Sequence, residues 1–494
     1  MDLNLITHWQ PRPGRVVDWT ASVDAARAAV DAPIAATPAT TMQERHLRRA
    51  RATAERGEPQ SPWIGLAFDF DGPFDVDVVT RTLEHYVRRH DTLHSRFEFV
   101  DADDAPDALV RKAVAPADIT LSASDPAPLG TAEAVRDHIA ARFASETSAL
   151  AWPAFVFGAV VHDDDTFTLF HAVDHAHTDM MSMLLTYAEI RTIHDAIRAG
   201  HEPDLPAPGS YVEYSTRERE RAAALTPQSP EVVQWAGHLM ASGGSFPGFP
   251  LDLGVADGPK PAIGSRFDLA DAAECDRFGA RCKELGANFV GGVFAALAVA
   301  ERELAGRERY LALSPVSTRE NDFLFAQGWF INLVPVLVDG AGATSFAELA
   351  ARGQAAFRAG KAVGAVSAQQ ALETVTGAAG TAAGTAGGDL TPPPIVSYID
   401  GRRVPDNESF VSTRATGIVG GKDTTIASLW VNRVAEGTWM AISHPDTPAA
   451  HESVGRYAER VSQVIRTVAA TGDYTISVPG GTDAVAPEPS EVTA

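Results

Sequence analysis

The chain has two cysteines in 494 residues, Cys275 and Cys282, so no disulfide framework supports it. Both fall in one predicted helix, about 10 Å apart along its axis, beyond the span of a disulfide. A reducing, cytoplasmic location is expected. Positive charge is also scarce: 41 Lys and Arg stand against 64 Asp and Glu, a formal net charge of −23. A general nucleic-acid binder needs a cationic surface to displace counterions, so nucleic acid is not an expected partner. The same balance disfavours adsorption to anionic membranes. Long hydrophobic runs are missing. The longest, residues 289–300, is too short to span a bilayer and runs into Glu301-Arg302-Glu303, so no transmembrane segment is expected. The opening MDLNLITHWQPRPGR has no apolar core of a signal peptide. Two phosphate and nucleophile signatures are absent as well. Gly420-Gly421-Lys422-Asp423 lacks Walker spacing, and no GxSxG occurs.

What is present is an ordinary globular composition, 45% hydrophobic and 21% charged, in a chain longer than one core supports. Helical periodicity covers residues 22–32, 41–56, 75–90, 131–146 and 180–199. Strand periodicity covers 63–70, 93–100, 155–162 and 166–173, and Asp163-Asp164-Asp165 joins the last two as a hairpin. From 205 to 263 the pattern weakens and Pro and Gly cluster, as in a crossover between lobes. A second series follows, with helices at 271–285, 289–305, 345–359 and 447–470. Its strands are at 310–316, 329–338, 394–399, 425–434 and 438–443. The predicted organisation is an N-terminal lobe (1–215), a crossover linker (216–263), a C-terminal lobe (264–475) and a disordered tail (476–494). Residues 376–388, TGAAGTAAGTAGG, have nothing to build a core with and are expected to be a mobile loop or linker. Without strict βαβ repetition the fold class is α+β, mixed sheets flanked by helices.

The chemistry concentrates in residues 166–182, TFTLFHAVDHAHTDMMS. An alternating apolar strand ends in Asp174, His175, His177 and Asp179, and a helix follows at once. A neutral imidazole at His175 can take a proton from a hydroxyl or amine as that group attacks a carbonyl. Asp179 can hold the ring directly, or brace the turn through an arginine. A carboxylate at a helix start favours the brace, because exposed N–H groups stabilise it there. The N–H groups from Met180 onward are placed to receive an oxyanion. With no serine or cysteine in a nucleophile setting, direct transfer fits better than a covalent acyl-enzyme. Two other readings compete. His171, His175, His177 and Asp179 could ligate a metal, though their spacing is not that of a zinc motif. On spacing alone, a polar hairpin end without chemistry has the stronger claim. Elsewhere, Arg45, Arg48, Arg49, Arg51 and Arg56 crowd one helix, as a solvated face or a docking surface for an acidic partner or a phosphate.

Several segments in order change that weighing. His175-Ala176-His177-Thr178-Asp179 resembles the HxxxD core of the chloramphenicol acetyltransferase-like superfamily. That group includes nonribosomal peptide condensation domains and the polyketide-associated acyltransferases of actinobacteria. Residues 89–97, RHDTLHSRF, resemble the RHExLRTxF segment of condensation domains. Tyr211-Val212-Glu213-Tyr214 resembles their YxDF segment, and residues 328–335, GWFINLVP, their GxFxNTLPLR strand. Residues 8–14, 210–213 and 246–251 are similar to the polyketide-associated branch.

The resemblance implies two chloramphenicol acetyltransferase-like lobes in a V-shaped pseudodimer with a central tunnel. It implies an acyltransferase with His175 as base and Asp179 as structural support. The donor would be acyl-coenzyme A or a phosphopantetheinyl carrier protein, acting as co-substrate, with no bound cofactor and no metal. The acceptor would be a hydroxyl of a lipid, sugar or polyketide-like molecule. A free-standing condensation enzyme, making an amide or ester from a carrier-bound donor, is the alternative. An inactive condensation-like binding protein is a third. Asp174, His177, Met180, Ser182, Gly328, Trp329 and Asn332 fall in the matching segments and are expected to shape the site. Three positions depart from the condensation pattern. Asp174 stands where the first of two histidines is usual, and Met180 replaces a glycine. His94 occupies an arginine position, which leaves Arg96 and Arg319 as candidate partners for Asp179.

Overall fold

A computed structural model describes residues 2–57, 63–102, 105–241, 246–367, 369–371, 373–374, 394–404 and 406–477. The expected loop at 376–388 and the tail from 478 lie outside these residues. Ile476, expected to open the tail, is instead buried, and its N–H bonds the Thr344 carbonyl at 2.9 Å.

The first lobe is built on one large sheet. Its strands run in the order Asp2–Leu5, Thr416–Val419, Trp63–Phe70, Phe167–Asp174, Phe155–Val161, Gly14–Ala21 and Leu121–Ala123, and Ala127–Leu129 also pairs with Gly14–Ala21. Three central strands are buried along their whole length, so both faces of the sheet carry a layer. Period-two alternation sorts their side chains into two cores. Leu66, Phe68, Phe157 and Leu169 pack with the helices Val76–Arg89 and Met180–Arg198. Ala67, Val156, Val160 and Phe170 pack on the other face with the helix Ala132–Glu146. Gly158 lies directly opposite Phe170 across the ladder, and the Phe170 ring occupies the space a Cβ would take.

The second lobe has a five-stranded sheet, ordered Val396–Asp400, Ser428–Arg433, Gly437–Pro445, Lys260–Asp271 and Asp423–Thr424. Beside it stands the hairpin Arg309–Ser317 and Ile331–Asp339. Its core gathers around the helix Phe289–Ala305, which is buried from Phe289 to Glu301. The longest apolar run of the chain is this core helix. Among the described residues no single helix is long and apolar enough to cross a membrane. Cys275 and Cys282 share the neighbouring helix Ala272–Glu284 and are free and buried.

Beyond Ile476 and the strands Asp2–Leu5, Gly14–Ala21, Leu121–Ala123 and Lys260–Asp271, which were not expected, three further departures bear on the site. Thr416–Val419, expected in the C-terminal lobe, is a strand of the first sheet, pairing with Trp63–Phe70. Sequence position therefore does not divide the lobes cleanly. The crossover holds two helices, Tyr211–Ala223 and Pro230–Ala241. The first buries only Tyr211, Tyr214 and Ser215, so its apolar stripe is too thin to see. Residues 93–94, expected to begin a strand, complete the 3-10 turn Asp91–His94, and the strand is Ser95–Ala102.

Adding a methyl at Gly158 should therefore strain a filled core. We expect Gly158→Ala to lower unfolding stability by about 1–3 kcal/mol in urea titrations. The control Gly130→Ala, where a Cβ meets nothing within 4 Å, should leave the midpoint unchanged.

Candidate active site

The strand Phe167–Asp174 delivers its last residue into a short 3-10 turn, His175–His177, and the helix Met180–Arg198 begins two residues later. Each junction is fixed by a carboxylate. Asp174 accepts the Ala176 N–H at 2.7 Å, and Asp179 caps the helix by accepting the Ser182 N–H at 2.7 Å. From Phe167 to Asp179, His175 is the one residue that is not buried.

Asp179 reaches across to the second half of the chain. Its Oδ2 accepts from Arg319 Nη1 at 2.9 Å and from the Phe330 N–H at 2.9 Å. Its Oδ1 accepts from Arg319 Nη2 at 3.1 Å. The carboxylate and the guanidinium are 1% and 4% exposed, so this is a buried, bidentate ion pair. Ser182 joins it. Its Oγ accepts from Arg319 at 2.6 Å and from the Gly328 N–H at 3.2 Å, and donates to the Gly328 carbonyl at 2.8 Å. Asp179 is therefore engaged by four donors and does not hold the His175 ring. Of the two candidate arginines Arg319 is the partner. Arg96 instead bonds the Ala29 carbonyl and pairs with Glu98 at 3.0 Å, because its strand faces that side.

The turn that carries Gly328, Trp329 and Phe330 depends on one glycine. Gly328 has φ of +153°, and a Cβ there would lie 2.1 Å from the Tyr211 ring. Tyr211 is fully buried and donates through Oη to the Trp329 carbonyl at 3.2 Å. Its own N–H bonds Asp91 at 3.0 Å, so residues 89–97 and 210–214 meet beneath the same turn. Asn332 donates to the Gly364 and Val366 carbonyls at 2.9 and 2.6 Å, tying its strand to the 361–367 segment.

His175 packs on Trp329 with ring centroids 4.1 Å apart. Its Nδ1 is buried without a hydrogen-bond partner. Burial, and then the nearby charge of His46, hold the ring's pKa below its ordinary value. The other two histidines are structural in character. His171 bonds the Val156 carbonyl at 3.0 Å and stacks on Phe157, and burial pushes it down to about 4. His177 meets Thr92 Oγ1 at 3.0 Å and stacks on Phe97, and burial also takes it to about 4. Among the described residues no three His, Cys, Asp or Glu side chains converge as a metal site. Met180 is half-buried at the helix start.

Two residues of the helix Thr41–Glu55 complete the site, and neither was expected. Gln43 donates to the Ala176 carbonyl at 2.7 Å, and His46 Nε2 lies 2.9 Å from Asp174 Oδ1. Burial pushes the Asp174 carboxyl up. The charge and hydrogen bond of His46 outweigh that and keep it below its ordinary value. The arginines drew attention to this helix, yet Arg48 and Arg51 both pair with Asp107. Arg45 and Arg49 remain exposed. The sequence signal was available: Gln43 and His46 are three residues apart, hence on one helix face. Beside Trp329 and between the lobes lies a cavity of about 240 Å³, lined among others by Glu218, Arg221, Ser317, Thr318 and Lys361.

A family model described as Condensation domain matches residues 35–370. The acyltransferase PapA3 of Mycobacterium tuberculosis (strain ATCC 25618 / H37Rv) is 30% identical over 483 residues, 96% of this chain and 98% of that protein. The trehalose-2-sulfate acyltransferase PapA2 of Mycobacterium bovis (strain BCG / Pasteur 1173P2) is 32% identical over 492 residues, 97% of this chain and 99% of that protein. Among solved structures, PapA2 acyl transferase matches with a TM-score of 0.84 at 31% identity, covering 95% of this chain and 100% of that one. The first condensation domain of the calcium-dependent antibiotic synthetase matches with a TM-score of 0.65 at 16% identity, over 89% of this chain and 98% of that one, a likeness of fold alone.

The Asp179–Arg319 pair makes a direct prediction. Arg319→Ala leaves a buried carboxylate without its counter-charge and should cost about 3–5 kcal/mol of unfolding stability. Arg319→Lys should recover only part of this, since an ammonium cannot reproduce the two-pronged contact. Urea titration of the two variants measures both effects.

Proposed function

This chain is an acyltransferase of the condensation-domain family, on the branch of the PapA enzymes, and from that premise we propose that it moves an acyl group from a thioester to a hydroxyl of a sugar or lipid acceptor. His175 is the general base. The observation that carries this assignment is that His175 alone in the buried motif keeps some exposure, and it does so against Trp329, a residue that also lines the inter-lobe cavity. With Nδ1 buried, Nε2 is the nitrogen assigned to the acceptor. A lowered pKa keeps that nitrogen free to accept a proton at neutral pH.

In the reaction, the acceptor hydroxyl gives its proton to His175 as its oxygen attacks the thioester carbonyl. At the start of the helix Met180–Arg198 the Ser182 N–H is taken by Asp179, which leaves the N–H groups of Met180 and Met181 as donors for the developing oxyanion. Collapse of the tetrahedral intermediate breaks the C–S bond. Asp179 takes no proton. It fixes the turn that presents His175, and orientation supplies much of the acceleration.

The donor is acyl-coenzyme A or an acylated phosphopantetheinyl carrier protein, which needs no bound cofactor. Exposed Arg45 and Arg49 beside His46 suit its phosphate. A sugar acceptor is supported by the relative whose name gives trehalose-2-sulfate as its substrate. The cavity beside Trp329 offers carboxylate, hydroxyl and cationic side chains along an aromatic wall, a lining suited to a polyhydroxylated molecule. Intact-mass product analysis with acyl-coenzyme A and acyl-carrier donors, against sugar, lipid and amine acceptors, tests this. An ester is expected, and an amide as sole product would overturn it.

His175→Ala should lower turnover by about 10²–10⁴-fold with an unchanged melting temperature. The pH profile carries a sign. The base works neutral and its pKa is lowered, so kcat/KM should hold as pH falls through 6.5, the ordinary histidine value, and drop only below it. An acid limb above that value would remove His175 as the titrating base.

A further inference from the structure

The pair His46–Asp174 stands outside the motif's base and brace. Asp174 is 2% exposed, and among the described residues no arginine or lysine pairs with it. Its Oδ1 meets His46 Nε2 at 2.9 Å and the Ala176 N–H at 2.7 Å, and its Oδ2 accepts the Ala149 N–H at 3.2 Å. A buried carboxylate with one imidazole partner directs the Nε2 proton of that ring inward. Nδ1 of His46 then faces away from Asp174, and it makes no hydrogen bond among the described residues. The ring is 16% exposed by side chain. It lies 6.4 Å from the His175 ring, and 5.5 Å from Trp329, which it meets edge-on. Trp329 thus touches both imidazoles. Gln43, on the same helix face, bonds the Ala176 carbonyl, so the backbone carrying His46 is fixed to the turn carrying His175.

We propose that His46 is the general acid of acyl transfer, giving its Nδ1 proton to the sulfur as the C–S bond of the donor breaks. This rests on the thioester reading above. The attacking oxygen and the leaving sulfur share one carbon, so both lie within about 3 Å of each other at the reacting centre. Two imidazoles whose ring centroids lie 6.4 Å apart can divide the work at such a centre. The acceptor O–H bond breaks and its proton passes to His175. The O–C bond forms, the C–S bond breaks with its electron pair going to sulfur, and sulfur takes the proton of His46. Solvent then removes the proton from His175 and returns one to His46, so no net proton is gained or lost. Asp174 offsets the charge of the protonated ring before transfer.

The dependence on the leaving group tests this. A 4-nitrothiophenolate leaves without protonation, whereas an alkyl thiolate gains from it. One acyl chain is supplied as the coenzyme A thioester and as the 4-nitrothiophenyl thioester. His46→Gln keeps an N–H toward Asp174 but cannot give a proton. Its turnover should fall about 10²-fold with the coenzyme A donor and less than about threefold with the activated one. Equal losses with the two donors, or no loss with coenzyme A, would overturn the acid. If His46→Gln does not fold, His46→Asn carries the same comparison and the same two outcomes, since it too has no proton to give. A wild-type protein inactive on both donors removes the thioester reading and the acid with it, whereas an active wild type with equal losses removes the acid alone.

Discussion

The bidentate contact between Asp179 and Arg319 joins the halves of this molecule at the point where its chemistry sits. One carboxylate caps the helix Met180–Arg198, receives the guanidinium from beyond the strand Arg309–Ser317, and accepts the Phe330 N–H. A buried charge pair of this kind contributes little net stability over an apolar alternative, because desolvation offsets much of the attraction. What it supplies is register. Asp179 cannot satisfy both partners unless the motif helix and the 328–330 turn lie in one relative position. Trp329 is carried by that turn, so the wall against which His175 rests is set by the same contact.

That constraint explains why one side chain in a buried segment stays accessible. The strand Phe167–Asp174 is covered on both faces, and His171 is lost to the core with it. The 3-10 turn breaks the period-two alternation. His177 turns inward onto Phe97 and Thr92, and His175 turns onto Trp329 and stays partly exposed. Two capping carboxylates bracket the turn, one on each side, so its backbone polar groups are satisfied and the ring's position is defined before any substrate arrives. Preorganisation of this sort is what direct acyl transfer needs.

Much of this was legible because local physics set it. The hairpin, the motif helix and the core helix Phe289–Ala305 follow from period and burial, and the four matching segments fell in the order in which they meet around the site. The brace reading of Asp179 followed from the preference of a carboxylate for a helix start. The features that escaped depend on distant partners. Thr416–Val419 is short and apolar wherever it lies, and nothing local says that it pairs with Trp63–Phe70 from the other lobe. The helix Tyr211–Ala223 rests on two tyrosines and caps supplied by Ser210 and Asp91, so its periodicity is faint. Arg319 and Arg96 were equal candidates because strand alternation says which face a side chain takes and not what lies opposite. His46 was hidden behind its neighbours: a helix with four arginines draws a reading by charge, while its site-facing edge is Gln43 and His46.

Asp174 gives that last point its weight. Condensation domains usually carry a histidine at this position, and a carboxylate in its place, which fits the acyltransferase branch, changes the electrostatics of a buried strand end. Unpaired, a carboxylate there would favour its neutral form, since burial alone raises its pKa. The bond to His46 supplies the missing counter-group from another element, and the cap on Ala176 uses the same oxygen. The histidine has in effect moved from the strand to the facing helix, with its ring still within 6.4 Å of His175. Through Gln43 and His46 the helix Thr41–Glu55 is fastened to the motif turn, and the two must be considered as one unit when either is changed.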